Sequence, residues 1–143
     1  MIMGIAALLF IPLLAVSMAH FLWGIGKTWP IRDEKLLART VVGAKGIERM
    51  PHRLLSLGVS IAALAAGVLA LSLADPTAGG LWLDALGLAA GAVFLARGVV
   101  GYMPFWAALT PEEPFRTLDR KNYSPLCIGL GIGFVLLVIL RLI

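Results

Sequence analysis

Few side chains in this chain of 143 residues could do chemistry. There are two histidines (His20 and His52), one cysteine (Cys127) and two tyrosines (Tyr102 and Tyr123). One arginine, Arg97, stands near the end of an apolar run, in the string Arg97-Gly98-Val99-Val100-Gly101. Two imidazoles could ligate a b-type haem between helices. An imidazole beside a phenol or thiol could carry a proton, as general acid–base chemistry requires. A guanidinium set in an apolar wall could hold a phosphate or carboxylate head group, because its planar fork matches both. The patterns that would make these readings specific are missing. No CxxC or zinc-type His/Cys spacing occurs, and a single cysteine allows no internal disulfide. No paired carboxylates or nucleophile–base motif is present. Each histidine reads more simply as a hydrogen-bonded group at a helix end. The expectation is therefore no cofactor and no metal, with haem through His20 and His52 as the alternative.

The elements that must position these residues are membrane spans. The chain is 60% hydrophobic and 14% charged, with a mean hydropathy of +0.95. A soluble domain carries roughly 25% charged residues. Four apolar runs, residues 1–25, 54–74, 81–100 and 124–140, approach the roughly 20 residues that cross a bilayer. The fold class is all-α: one transmembrane domain over 1–143, an integral membrane four-helix antiparallel bundle. The first run lacks the basic n-region of a signal peptide and is read as a retained span. It closes on Trp23, Lys27, Trp29 and Pro30, a membrane-interface signature. Asp75 to Gly80 is so short a link that the second and third runs must be antiparallel neighbours. Asp84 sits in the first turn of the third run, where the helix dipole favours a carboxylate. Pro125 sits in the first turn of the fourth, and Arg141 anchors its far end. Gly87 with Gly91, and Gly129 with Gly133, have the spacing that lets helices approach closely. They pack helices within the chain or serve a homo-oligomer. In the loop at 26–53, Asp33 and Glu34 precede Leu36, Leu37, Thr40 and Val41. A short amphipathic helix is expected, lying on the membrane or packed on the bundle, with Lys35 and Arg39 toward water.

Loop charge sets the expected orientation. Lys27, Arg32, Lys35, Arg39, Lys45, Arg49 and Arg53 lie in the first loop, Arg116, Arg120 and Lys121 in the third, and none in the second. Loops 26–53 and 101–123 should therefore be cytoplasmic and both termini outside. Basic residues confined to short loops between spans anchor a membrane protein, which excludes nucleic acid as a partner. One depth, the cytoplasmic end, then collects His20, Trp23, Arg97, Tyr123, Ser124 and Cys127. These are the candidate ligand-binding residues. An arginine at mid-bilayer costs ~2.5–3.5 kcal/mol, so Arg97 must snorkel or find partners. Helix-end carbonyls, the Tyr123 hydroxyl, Asp119 and an anionic lipid head group are the candidates. If the residues converge, Arg97 lies within side-chain reach of His20 or Tyr123.

Several segments together resemble the DUF3995 family of small bacterial four-span membrane proteins of unknown function. They are His20 to Pro30, Val41-Val42-Gly43, Met50-Pro51, Arg97 to Gly101, Leu118-Asp119 and Tyr123-Ser124-Pro125-Leu126-Cys127. Where that family often places an acidic residue after the arginine element, this chain has Tyr102. The resemblance implies a multi-pass protein of the bacterial inner membrane and no assigned activity. The leading functional expectation is a protein that binds a lipid-like or amphipathic ligand at its cytoplasmic end, with membrane lipid as partner, or an accessory subunit of a larger membrane complex. The alternative is a small intramembrane oxidoreductase or transferase using His20, Arg97 and Tyr123. The near absence of polar residues in the outer half of the spans argues against a transport path.

Overall fold

The computed structural model describes residues 1–143 and is all-helical. Four helices are long and apolar enough to cross a membrane: α1 (Ile2–Gly24), α3 (Arg53–Ala74), α4 (Leu81–Val100) and the segment Phe115–Leu142, which ends in α7 (Ser124–Leu142). Between α1 and α3 lies α2 (Glu34–Val41); between α4 and α7 lie α5 (Pro104–Leu109) and α6 (Phe115–Leu118). Leucines and isoleucines on the outer faces, among them Leu8, Ile11, Leu54, Ile61 and Leu86, are exposed. In water such a surface would aggregate, whereas a bilayer solvates it.

The fourth spanning segment starts earlier than the proline at 125 suggests. Helix continues from α6 into α7 through a π-turn at Asp119–Tyr123. Pro125 has no N–H to donate, and its ring would crowd the Lys121 carbonyl in a regular α-turn; a widened turn relieves that crowding.

The helices pair as two hairpins. α1 packs along α3 and α4 along α7, and the pairs meet through α1–α7, α3–α4 and α3–α7. Their shared core, with Leu9, Leu13, Leu73, Phe134 and Leu137 at its centre, lies toward the short α3–α4 turn. At the opposite, basic end the two long loops dock on each other. Leu37 and Ala38 of α2 are fully buried, with Phe115 of α6 beneath the loop. Gly43, at φ +67°, turns the chain over the Phe115 ring, where a Cβ would come within 2.3 Å. Arg39 stays partly exposed, and its guanidinium pairs with Glu112 at 2.9 Å. Lys35 stays outside and pairs with Glu48 at 2.9 Å. That hydrogen bond and the Lys35 charge hold the exposed Glu48 carboxyl below its usual range.

The two hairpins are built alike. Three close contacts of the first recur in the second: Ser17–Ser60 as Gly91–Gly131, Gly24–Leu57 as Gly98–Ile128, and Leu13–Gly67 as Gly87–Val138. One constant shift carries α1 onto α4 (17 to 91, 24 to 98, 13 to 87), and another carries α3 onto α7 (60 to 131, 57 to 128, 67 to 138). Small residues let the backbones close in both halves, with Ser17 and Ser60 hydrogen bonded where the second half has bare glycines.

Gly87, Gly91 and Gly133 therefore contact their own chain, whereas a Cβ at Gly129 would meet open space. Gly98→Ala should destabilise the protein by about 1–3 kcal/mol, because its Cβ would lie 2.5 Å from Ile128 Cγ1 and 2.9 Å from the Ser124 carbonyl. Gly129→Ala should be neutral or slightly stabilising. Thermal unfolding of both variants in detergent separates these outcomes.

Candidate functional site

The basic end holds two polar centres, one in each hairpin. In the second, Asp119 is fully buried at the start of the π-turn. A carboxylate removed from water is tolerable only with donors on its oxygens. Three converge: Arg97 Nη2 donates to Oδ1 at 2.7 Å, the Ser124 hydroxyl to Oδ1 at 3.2 Å, and Trp106 Nε1 to Oδ2 at 2.9 Å. Arg97 also lies over the Trp106 ring, 5.1 Å from its centroid. A second guanidinium nitrogen stands 3.5 Å from Ser124 Oγ, the limit of hydrogen bonding. Gly101 forms the floor: a Cβ there would overlap the Ser124 hydroxyl. Arg97 has found one of its expected partners, Asp119, and the result is a closed internal network.

The opposite end of the same hairpin carries the reversed pair. Arg141 Nε on α7 lies 2.9 Å from Asp84 Oδ1 on α4. The N–H is not aimed at that oxygen, so this contact is an ion pair without a hydrogen bond. Arg141 also donates to the carbonyls of Asp75, at 2.8 Å, and Ala78. In the same turn the Thr77 hydroxyl and N–H hold the Asp75 carboxyl below its usual range.

In the first hairpin the basic end is open. A cleft of about 360 Å³ is lined by Trp23, Gly26, Lys27, Thr28, Glu34, Met50, Pro51, His52 and Arg53. A second, of about 190 Å³, is mostly apolar and runs between His20, Trp23, Val41, Val42, Met50, Pro51, Leu55, Ser56 and Val59. Trp23, Met50 and Pro51 are walls of both. The Trp23 ring lies against His20 at 4.6 Å between centroids, and its Nε1 donates to the Trp29 carbonyl at 2.7 Å. A third cleft, about 410 Å³, lies on the far side of Lys27 and Thr28 with Trp29 and Arg32. Lys27, Arg32 and Arg53 make no ion pair, while Glu34 is tied to the Met50 N–H at 3.1 Å.

The six sequence candidates thus divide. His20 and Trp23 line the open clefts. Arg97 and Ser124 belong to the closed network, and half-buried Cys127 stands one turn beyond Ser124 on α7. Tyr123 points to the loops: its hydroxyl donates to the Thr40 carbonyl at 3.1 Å and its ring faces Phe115. No hydrogen bond joins Arg97 to His20 or Tyr123, and the hydrogen-bonded groups of the basic end fall into two centres. The reason is the pairing of helices, which sets α1 on α3 and α4 on α7. The histidines are also apart in use. His20 Nδ1 donates to the Val16 carbonyl at 2.9 Å, and His52 Nδ1 accepts the Leu54 N–H at the start of α3. The two line different clefts, and no group of three His, Cys, Asp or Glu side chains could hold a metal ion. Sequence reasoning passed over Lys27, Met50, Pro51 and Arg53 as cleft walls, and Trp106 as a hydrogen-bond donor. The recurring Gly–Pro spacing, Gly24 to Pro30 and Gly98 to Pro104, was the signal that could have aligned the halves.

Four membrane-length helices in two similar hairpins, with a basic cleft end, define a small multi-pass membrane protein. Residues 13–134 match the family model described as a protein of unknown function, DUF3995, and the chain belongs to that family. No curated protein and no solved structure matches it.

Arg97→Met should cost about 3–5 kcal/mol, since it leaves the fully buried Asp119 carboxylate without its charge partner, and Asp119→Leu less, since the Arg97 side chain is partly exposed. Replacing the pair together, Arg97→Met with Asp119→Leu, should recover most of that loss. Unfolding in detergent of Arg97→Met, Asp119→Leu and the double variant, compared in a double-mutant cycle, measures the coupling.

Proposed function

We propose that this protein binds an amphipathic, lipid-like molecule at the basic end of its first hairpin. The observation that carries this reading is a pair of neighbouring clefts that share Trp23, Met50 and Pro51 as walls. One is polar and opens among the loops; the other is apolar and runs down between α1, α2 and α3; Trp23 stands between them. Sites for small molecules are concave, mostly apolar and fitted with a few polar groups. A ligand with a polar head and an apolar tail meets both linings at once. His20 edges the apolar cleft, its Nε2 left unengaged by the bond that Nδ1 makes to Val16. The polar head group stays at the level of Trp23 and Trp29, where tryptophans sit in membrane interfaces.

The reading of a docking subunit or a homo-oligomer has less to stand on, because three of the four glycines proposed for that contact are covered within the chain. The enzyme reading lacks a common site for His20, Arg97 and Tyr123, each of which is engaged with a different partner. Loop charge supports an orientation with the cleft end in the cytoplasm and both termini outside, in a bacterial inner membrane.

Native mass spectrometry of protein purified in mild detergent should detect a retained amphiphile. Leu55→Trp, which fills the apolar cleft, should reduce its occupancy by tenfold or more at unchanged thermal stability. Equal occupancy in the variant would refute this site. For the orientation, alkaline phosphatase fused to the C-terminus should be active in cells, and fused within residues 44–48 it should be inactive.

A further inference from the structure

We infer that the polar cleft of the first hairpin takes an oxyanion, a phosphate or carboxylate, at Arg53 and Lys27, as the head group of the amphiphile; the inference rests on the functional reading above. The argument comes from the internal repeat. The shifts that superpose the helix contacts carry Trp23 onto Arg97 and Arg53 onto Ser124; counted on into the loop before α3, the second sets Glu48 against Asp119. In the second hairpin these positions form a filled oxyanion site, in which a carboxylate is gripped by a guanidinium, a hydroxyl and an indole N–H. The first hairpin keeps the guanidinium and moves it: Arg53 comes from the long helix that follows the loop, whereas the Trp23 indole is already engaged by the Trp29 carbonyl. The Arg53 guanidinium lies over Gly26, 2.7 Å from where a Cβ would stand.

The carboxylate is what differs. Glu48, the counterpart of Asp119, is an exposed side chain on the outside of the loop, paired with Lys35. The cause is local. Met50 and Pro51 end any helix before Arg53, so α3 starts there, whereas α6 and the π-turn carry Asp119 inward ahead of α7. The first cleft is consequently cationic. Lys27 and Arg53 make no ion pair, His52 adds a donor at Nε2, and the one carboxylate in the lining, Glu34, is engaged by Met50 N–H. Arginine and lysine together suit an oxyanion, the first as a fork and the second as a point charge. A zwitterionic head group would set its own cation against theirs.

The test compares three probes on the purified protein in non-ionic detergent, by native mass spectrometry titration: dodecyl phosphate, dodecylphosphocholine and inorganic phosphate. Dodecyl phosphate should bind roughly tenfold more tightly than dodecylphosphocholine, the worth of about one charge-assisted hydrogen bond. Arg53→Gln should abolish that preference, Lys27→Gln should weaken it, and Arg49→Gln, on the same loop but outside the clefts, should leave it intact. A preference that survives Arg53→Gln, or that Arg49→Gln removes equally, overturns the inference in favour of general surface charge. If Leu55→Trp weakens both amphiphiles alike while Arg53→Gln changes nothing, the amphiphile site stands and the oxyanion inference falls. If inorganic phosphate binds as tightly as dodecyl phosphate and Leu55→Trp is silent, the oxyanion inference stands and the amphiphile reading falls.

Discussion

A carboxylate with no access to water constrains the second half of this molecule. Asp119 can be buried only because Arg97, Trp106 and Ser124 reach it from three elements, and each of them is held in turn by that contact. Arg97 comes from the end of α4, Trp106 from α5 and Ser124 from the start of α7. The pair at the other end, Asp84 with Arg141, joins the same two helices with the signs reversed. An ion pair at each end of an antiparallel hairpin fixes its register, because sliding by one turn would leave charges unpartnered in an apolar medium. Between the two pairs, Gly91 and Gly131 bring the backbones close enough for the contact to be made.

The first hairpin has the same plan and no such lock. Where α4 and α7 have Asp84 and Arg141, α1 and α3 have Phe10 and Ala70, and the close approach is made by hydrogen-bonded serines. Its basic end is lined by unpaired cations around a cleft in place of an internal carboxylate. The halves thus differ: the second is closed by its buried carboxylate, and the first is open at its basic end. The loops docked across the basic end, with Arg39 on Glu112 and Tyr123 on Thr40, tie the open half to the rigid one.

Much of this was legible in the residues. Hydropathy is a local property, and in a membrane each helix must satisfy its own backbone hydrogen bonds, so the spans follow from composition run by run. The short Asp75–Gly80 link, the helix begun by Asp33 and the charge contrast between loops are likewise local. The family was recognisable from short segments spread over most of the chain. Asp119 was among the partners Arg97 could take, because few acids lie anywhere near its depth.

What the sequence could not decide was which groups would meet. His20, Arg97 and Tyr123 fall at one depth, and depth alone suggested one site. Depth is one coordinate; the other two come from which helices pair and how each is rotated. Pairing α1 with α3 and α4 with α7 gave His20 and Arg97 different partners, and the π-turn brought Asp119, 22 positions along the chain, onto the guanidinium. The cleft of Lys27, Met50, Pro51 and Arg53 depends equally on a loop folding back over α1. Spans, caps and loop charge were determined by the sequence because their causes act within a few residues. Partners and clefts were decided by tertiary structure because they depend on helix rotation and register, which arise from many weak contacts at once.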